Sequence, residues 1–355
     1  MTRIGNEWMP RRMKAAMFHG VGDVRYEETE VPEIGAGDIL VKIGSALTCG
    51  TDVKTFKRGH PILLRETPAL FGHEYAGTVE EVGEGVEGLE PGMRIVATNS
   101  APCGLCFFCK RGSHNLCPEL KESFVNGAFA EYIRVPERIV KWNTHRIPDD
   151  LKFQTAALTE PLACVVHGIE ESNIRPGDSV VVIGAGPIGQ MLIMLARKNG
   201  ASTVIASDLA EFRREMAKKS GADTVINPVA EDPIQRVRDE TEGYGADVVI
   251  EAVGLPATWE QAVEMTRDAG TTVLFGGAAS GTKFELDTVR FHYGQLTVKG
   301  VFHLSPRNVE QAIRLIIAGD INPDILISDQ MPLEKIVEAL EKMSKGETMK
   351  VAIVP

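Results

Sequence analysis

The feature that most constrains the fold is the glycine pattern G-x-G-x-x-G at Gly184–Gly189, because an apolar run leads directly into it. Val181–Ile183 reads as a buried strand, and the residues after the last glycine have helical spacing. A strand that turns through such glycines into a helix is the context in which the pattern binds a dinucleotide. The alternative interpretation is a glycine-rich turn that holds no ligand.

Each glycine of the pattern has a physical reason. Gly184 permits a tight turn, Gly186 has no side chain to block a pyrophosphate, and Gly189 lets the helix pack close to the strand. Pro187 and Ile188 fill the positions between them, at the helix N-terminus that offers N–H groups to phosphate. We therefore expect these five residues to line a cofactor site.

The second strand of this region ends in Asp208, nineteen residues after Gly189. An acidic residue there can accept hydrogen bonds from the adenosine ribose and repels a 2′-phosphate, so the sequence favours NAD over NADP. Arg213 lies nearby and supports the opposite interpretation, because an arginine can hold that phosphate.

From Asp178 onward, strands alternate with amphipathic helices, which predicts a parallel sheet covered on both faces. The predicted strands are Ser179–Ile183, Thr203–Ser207, Thr224–Ile226, Asp247–Val253, Thr271–Phe275 and Leu296–Lys299, and the predicted helices include Gly189–Asn199 and Leu209–Ser220.

The part before residue 160 is rich in valine, glycine and turn residues and predicts a mainly β domain. Near the C-terminus, two predicted helices precede a strand at Lys350–Val354, which we expect to pair with that β domain. The fold class is therefore α/β, with a Rossmann domain (residues 165–304) inserted in a β-rich catalytic domain (residues 1–164 and 305–355). The interpretation also uses the predicted strands Ile39–Ile43, Gly77–Val82 and Arg94–Thr98 and the predicted helices Arg307–Ala318 and Leu333–Met343.

Bulk properties exclude several classes of partner. The formal net charge is −11, which disfavours binding to nucleic acid. The sequence contains no run of about 18 apolar residues, the length that would suggest a membrane span. Met1–Lys14 lacks the apolar core of a signal peptide. We therefore expect a cytoplasmic protein whose cysteines are reduced.

Four cysteines lie within fifteen residues, at Cys103, Cys106, Cys109 and Cys117. Four thiolates in one compact loop match the closed tetrahedral shell of a structural zinc ion. Free thiols, an iron–sulfur cluster and a zinc-ribbon module are the alternatives. The last gap of seven residues differs from the bacterial ferredoxin spacing, and zinc ribbons separate their cysteines into two distant pairs.

A second set of metal-ligand types is scattered along the chain, at Cys49, His73, Glu74 and Glu160. Taken singly, each has a structural explanation: a buried small cysteine, a hydrogen-bonded histidine, or a glutamate that caps a turn. No spacing rule joins the four residues, so the residue types alone leave a shared metal open.

Together these residues resemble the zinc-containing medium-chain alcohol dehydrogenase superfamily. The segment Gly72–Val86 matches the superfamily's Gly-His-Glu signature in full, and the resemblance extends from about Met13 to the C-terminus. It implies that the β-rich domain is GroES-like. It also implies that Cys49, His73 and Glu74 bind a catalytic zinc ion, with Glu160 bound directly or through water.

The resemblance assigns further roles. Thr51 corresponds to the hydroxyl that relays the substrate proton, and the four clustered cysteines correspond to the structural zinc lobe, giving two zinc ions per subunit. The activity implied is hydride transfer from a secondary alcohol to NAD in a homo-oligomer, a tetramer or a dimer. The cofactor-contacting positions implied are Ile188, Asp208, Arg213, Gly276, Val301 and Phe302.

The substrate is less constrained. Glu160-Pro161-Leu162 and the segment Phe291–His303 resemble polyol, sugar-alcohol and cyclitol dehydrogenases, and Lys54 stands where threonine dehydrogenases usually carry a histidine. L-Threonine 3-dehydrogenase is the enzymatic alternative, and a non-catalytic sensor that binds zinc and dinucleotide is a remote one. His303 could face substrate or be a packed or surface residue, and iron, cobalt or cadmium could replace the catalytic zinc.

Overall fold

The computed structural model describes residues 2–4, 7–9, 11–60, 64 and 66–355, the first two ranges by their backbone only. Contacts divide the chain into two compact units. The first unit contains Met1–Ala163, Leu304–Gly319 and Ile327–Pro355, and the second contains Cys164–His303 and Asp320–Leu326. Within the described residues, no helix combines the length and apolarity that a bilayer crossing requires.

The first part of the chain is mainly β, as predicted. In chain order its elements are β1 (Thr2–Ile4), β2 (Glu7–Met9), β3 (Arg12–Gly20), β4 (Asp23–Glu30), β5 (Ile39–Leu47), α1 (Gly50–Arg58), β6 (Ala69–Leu70), β7 (Glu74–Val82), β8 (Arg94–Ala97), β9 (Tyr132–Val135), α2 (Glu137–Asn143), β10 (Thr144–Arg146) and α3 (Phe153–Ala156). Three short 3₁₀ helices lie between β8 and β9, at Cys109–Arg111, His114–Leu116 and Pro118–Glu122.

The middle of the chain alternates helices and strands. Its elements are α4 (Thr159–Ser172), β11 (Ser179–Ile183), α5 (Pro187–Lys198), β12 (Thr203–Ser207), α6 (Glu211–Lys219), β13 (Thr224–Ile226), α7 (Pro233–Glu240), β14 (Ala246–Glu251), α8 (Pro256–Met265), β15 (Thr266–Leu274), α9 (Thr288–Tyr293) and β16 (Thr297–Gly300). The last part contains α10 (Pro306–Ile317), α11 (Pro323–Leu326), β17 (Ile327–Pro332), a 3₁₀ helix (Leu333–Lys335), α12 (Ile336–Lys345) and β18 (Lys350–Val354).

The predicted parallel sheet is confirmed. It has six strands in the order β13-β12-β11-β14-β15-β16, and each neighbouring pair is parallel. Buried Val181, Ile205 and Val249 contribute to its core. The strand order reverses between β11 and β14, and the carboxyl ends of strands at such a point form the crevice where ligands bind in this architecture.

The C-terminal strand joins the β-rich unit, as predicted. In the larger sheet of that unit, β18 lies between β5 and β17, and Ala352 pairs with Leu47. Val351 N–H donates to the Thr48 hydroxyl at 2.9 Å, which ties the start of β18 to the residue before Cys49. Lys350, the first residue of β18, is thereby placed beside Thr48, which lies 302 positions earlier in the sequence.

Some element boundaries differ from prediction for identifiable reasons. The strand predicted to reach Val253 ends at Glu251, because the Glu251 carboxylate accepts hydrogen bonds from the N–H groups of Val253 and Gly254 and turns the chain. Helix α7 is not among the elements predicted from the sequence. Its start is marked by Asp232, whose side chain accepts from the amides of Ile234 and Gln235.

Candidate active site

Cys49, His73 and Glu74 come together in the β-rich unit. Cys49 is the N-cap of α1, and Glu74 is the first residue of β7, directly after His73. Antiparallel pairing aligns Leu47 of β5 with Glu74, which brings the two segments side by side. One ligand atom from each of the three residues lies within 4.8 Å of the others. A sulfur, an imidazole nitrogen and a carboxylate oxygen are thus grouped around one point.

Asp52 holds two members of this group. Its Oδ2 accepts the Cys49 N–H at 2.9 Å, while the Cys49 sulfur accepts the Thr51 N–H at 3.4 Å, which forms a capping box at the start of α1. Its Oδ1 lies 3.0 Å from His73 Nδ1. Since that nitrogen is engaged by a carboxylate, Nε2 is the imidazole atom left to bind a metal, the usual arrangement behind metal-bound histidines.

Lys350 holds the third member. Its Nζ donates to both carboxylate oxygens of Glu74, at 2.8 and 2.6 Å, and to the Thr48 carbonyl at 3.0 Å. Both side chains are almost fully buried. Burial raises the pKa of Glu74 and the Lys350 charge opposes that rise. The ammonium compensates a carboxylate that would otherwise be costly to bury.

Glu160 lies near this group without joining it. It sits at the start of α4 and is 7% exposed, but its carboxylate is not within 4.8 Å of all three ligand atoms. Burial, opposed by the charge on His73, raises the pKa of Glu160 to about 7. Thr51 lies half-buried in the first turn of α1, two residues after Cys49.

The donor set fits a catalytic metal ion. Thiolate, imidazole and carboxylate are zinc ligands, and three protein ligands leave the fourth tetrahedral position open to substrate. Asp52 and Lys350 supply the outer hydrogen bonds that orient such ligands. Cys49, His73 and Glu74 are described residues that could hold the ion. Glu160 is close enough for the charges of His73 and Glu74 to act on its carboxyl group.

Cys103, Cys106, Cys109 and Cys117 form a second candidate metal site. All four sulfur atoms lie within 4.8 Å of one another. The Cys103 and Cys109 sulfurs are 4.0 Å apart, close to the roughly 3.8 Å edge of a zinc tetrahedron with 2.3 Å bonds. Amides of Leu105 and Cys106 donate to the Cys103 sulfur at 3.4 and 3.3 Å. The lobe therefore fits a closed, structural zinc ion.

The glycine turn of the second unit has the shape that dinucleotide binding requires. Gly184 has φ +93°, and a Cβ there would meet Val253 Cγ2 at 2.8 Å. A Cβ on Gly189 would lie 1.9 Å from the Gly184 carbonyl oxygen, so helix α5 packs directly on the turn. Around Gly186 nothing lies within 4 Å of such an atom, which leaves its backbone open to a pyrophosphate. Pro187 and Ile188 form the first turn of α5.

Asp208 is tied to this turn. Its Oδ2 accepts the Ala185 N–H and its Oδ1 accepts the Ala210 N–H, both at 2.8 Å. Arg213 Nη1 lies 3.9 Å from Asp208 Oδ2. The carboxylate thus stands at the end of β12, beside the glycine turn, with the guanidinium next to it.

The remaining residues predicted to contact the cofactor follow β15 and β16. Gly276 N–H donates to the Glu251 carbonyl at 2.8 Å, and Val301 N–H donates to the Leu274 carbonyl at 3.2 Å. Phe302 is 52% exposed. All three follow the carboxyl ends of strands in the parallel sheet, at the edge that carries Gly184 and Asp208.

Asp52 and Lys350 are site residues that the sequence analysis missed. Asp52 stands three positions after Cys49, which is the capping-box spacing and could have been recognised as such. No local signal marks Lys350, because its partner Glu74 is 276 residues away.

Comparisons with known proteins identify the family. Residues 35–149 match the alcohol dehydrogenase GroES-like domain, and residues 187–318 match the zinc-binding dehydrogenase family. Together the two matches cover more than half of the chain. The two domains therefore belong to known families that occur in zinc alcohol dehydrogenases.

Relatives that match over more than 90% of both chains support the same family. A sorbitol dehydrogenase of Bacillus subtilis is 31% identical over 98% of both chains. An L-threonine 3-dehydrogenase of Pyrococcus furiosus is 37% identical over 92% of this chain and 94% of its own. A Sinorhizobium meliloti protein, assigned as a zinc-binding dehydrogenase and solved with NADP, has a TM-score of 0.89 at 32% identity and covers 97% and 99% of the two chains. This chain belongs to the zinc-containing medium-chain alcohol dehydrogenase superfamily, in the branch of sorbitol, polyol and threonine dehydrogenases.

Proposed function

We propose that the protein is a zinc-dependent, NAD-linked dehydrogenase that oxidises a secondary alcohol of a polyol, sugar alcohol or cyclitol. The observation that carries the proposal is the grouping of Cys49, His73 and Glu74 within 4.8 Å, with Asp52 and Lys350 behind them. A zinc ion held there supplies a Lewis acid that lowers the pKa of a bound hydroxyl, and bound NAD supplies the hydride acceptor.

The protein's own residues carry the remaining work. Asp52 keeps the imidazole of His73 oriented, and the Lys350 ammonium hydrogen-bonds the buried carboxyl group of Glu74 and opposes the rise that burial causes in its pKa. The Thr51 hydroxyl, two residues from Cys49, accepts the substrate proton and passes it outward. Glu160, which interacts electrostatically with His73 and Glu74, would bind the same zinc ion directly or through water.

The preference for NAD rests on Asp208. Its carboxylate is held by two backbone amides beside the glycine turn, where an adenosine ribose would lie. A fixed negative charge there repels a 2′-phosphate. Arg213 and the NADP in the Sinorhizobium meliloti structure favour the other cofactor, so initial rates with NAD and NADP at equal concentration test this part of the proposal.

L-Threonine is the second candidate substrate, because the Pyrococcus furiosus relative is an L-threonine 3-dehydrogenase at 37% identity. The polyol assignment rests on Glu160-Pro161-Leu162 and on Lys54, where threonine dehydrogenases usually have histidine. The test is NADH formation with sorbitol, iditol, galactitol, inositol and L-threonine. Turnover of one or more polyols supports the proposal, and turnover of L-threonine alone overturns it.

The proposal includes two zinc ions per chain and a cytoplasmic homo-oligomer, a tetramer or a dimer. Metal analysis and light scattering of the purified protein test the first and the last of these features.

A further inference from the structure

Glu251 is a fully buried carboxylate at the last position of β14. One of its oxygens, Oε1, accepts three hydrogen bonds. They come from the Val253 N–H at 2.8 Å, the Gly254 N–H at 2.9 Å and the Thr258 hydroxyl at 2.7 Å. This single oxygen therefore fixes the turn that leads from β14 into α8.

The backbone of Glu251 fixes a second turn. Its carbonyl oxygen accepts the Phe275 N–H at 2.9 Å and the Gly276 N–H at 2.8 Å, directly after β15. The two turns then pack on each other without space for side chains. A Cβ on Gly276 would lie 2.4 Å from the Gly254 nitrogen, and a Cβ on Gly254 would lie 2.5 Å from the Gly277 oxygen.

The first of these turns also touches the glycine turn after β11. Ala252 N–H donates to the Ile183 carbonyl at 2.8 Å, and Val253 Cγ2 is the atom that a Cβ on Gly184 would meet. Three turns at the carboxyl edge of the sheet are thus held in register around Glu251. Two of them contain Gly184 and Gly276, which we assign to the cofactor site.

The second carboxylate oxygen, Oε2, is buried and has no hydrogen-bond partner among the described residues. Leaving such an atom unpaired is costly, so a residue that served stability alone would not favour a carboxylate here. A carboxylate oxygen does hold N–H donors more strongly than a neutral acceptor. The Glu251 carboxylate therefore holds the turns firmly, although its unpaired oxygen lowers the stability of the fold.

We infer that Glu251 is a positioning residue for the dinucleotide, acting through the turns at Ala252–Gly254 and Gly276. The inference rests on the proposed dinucleotide-binding function of this unit. Turns that are already fixed present their surface to the ligand without an ordering cost at binding, so their loss lowers affinity for the dinucleotide.

Asp247 provides a matched control at the opposite end of the same strand. It accepts the Ser179 N–H and hydroxyl, both at 2.7 Å, and the Arg267 Nε–H at 2.6 Å. It therefore also accepts three hydrogen bonds, but at the edge of the sheet away from the glycine turns. Its removal should disturb the sheet without disturbing the turns.

The experiment is a fluorescence titration of the full-length Glu251→Ala, Glu251→Gln, Thr258→Val and Asp247→Ala variants with NADH and NADPH. We expect the dissociation constant to rise about tenfold or more in Glu251→Ala, the effect of losing one or two net hydrogen bonds. Glu251→Gln keeps an accepting oxygen and should restore most of the affinity. Asp247→Ala should lower the melting temperature and leave the dissociation constant within about twofold.

The inference is overturned if Glu251→Ala binds as the unmodified protein does, or if Asp247→Ala weakens binding equally. Should Glu251→Ala fail to fold, Thr258→Val decides, because it removes one donor to Oε1 and keeps the carboxylate. A rise of about threefold or more supports the inference, and an unchanged constant overturns it. If the unmodified protein binds neither dinucleotide, the proposed function itself fails, which the variants alone would not show.

Discussion

The Lys350 ammonium donates to both carboxylate oxygens of Glu74, at 2.8 and 2.6 Å, and both side chains are at most 2% exposed. The pair joins the last strand of the chain to a residue grouped with Cys49 and His73. It therefore links the stability of the β-rich unit to the geometry of the candidate metal centre.

Lys350→Met is expected to destabilise the metal-free protein by about 3–5 kcal/mol, because it leaves the buried Glu74 carboxylate without its ammonium partner. Chemical denaturation of the purified variant measures the loss. Lys350→Arg keeps a positive charge, so its free energy of unfolding should fall by less than that of Lys350→Met. A loss below about 1 kcal/mol in Lys350→Met would show that the pair contributes little.

Cys49→Ser is expected to abolish turnover, because the candidate catalytic centre loses its only thiolate among the described ligands. NADH binding should stay within about twofold of the unmodified protein, since the glycine turn and Asp208 lie in the other compact unit. Steady-state rates and a fluorescence titration on the same preparation check both parts. Retained turnover would remove Cys49 from the reaction.

Cys106→Ser is expected to lower the melting temperature by several degrees, because one of four thiolates within 4.8 Å is lost from a closed site. The KM for alcohol should change little. A thermal scan of the variant, with the unmodified protein treated with a chelator for comparison, tests this. An unchanged melting temperature would contradict a structural metal in the cysteine lobe.

Asp208→Ala is expected to raise the KM for NAD about tenfold. It should also lower the ratio of kcat/KM with NAD to kcat/KM with NADP. The carboxylate that would accept the ribose hydroxyls and repel a 2′-phosphate is then gone, and Arg213 stays. Initial-rate kinetics with both cofactors measure the change. If neither KM nor the ratio moves, Asp208 has no role in choosing the cofactor.

Local patterns predicted much of the unit that contains the parallel sheet. Ser179–Ile183, Thr203–Ser207 and Thr224–Ile226 form strands with the predicted bounds, because apolar runs between turn residues fix them locally. The four cysteines were also predicted to group together, because they lie within fifteen residues of the sequence.

The rest depended on contacts between distant parts of the chain. Lys350 reaches Glu74 only because β18 inserts beside β5, and no spacing in the sequence encodes that pairing. Glu251 lies inside the strand predicted at Asp247–Val253, and its hydrogen bonds to the following turn are visible only in the structure. Cys49 and His73 were joined by resemblance to a family, whereas the contact between the Asp52 carboxylate and His73 is visible only in three dimensions.

The central claim is that side chains of the β-rich unit, led by Cys49 and His73, bind a catalytic metal ion in addition to the ion of the cysteine lobe. The most direct measurement is the metal content per chain of protein purified without chelators, for the unmodified protein and for Cys49→Ser. We expect two zinc equivalents in the first and one in the second. At most one equivalent in the unmodified protein, or the same content in both, would contradict it.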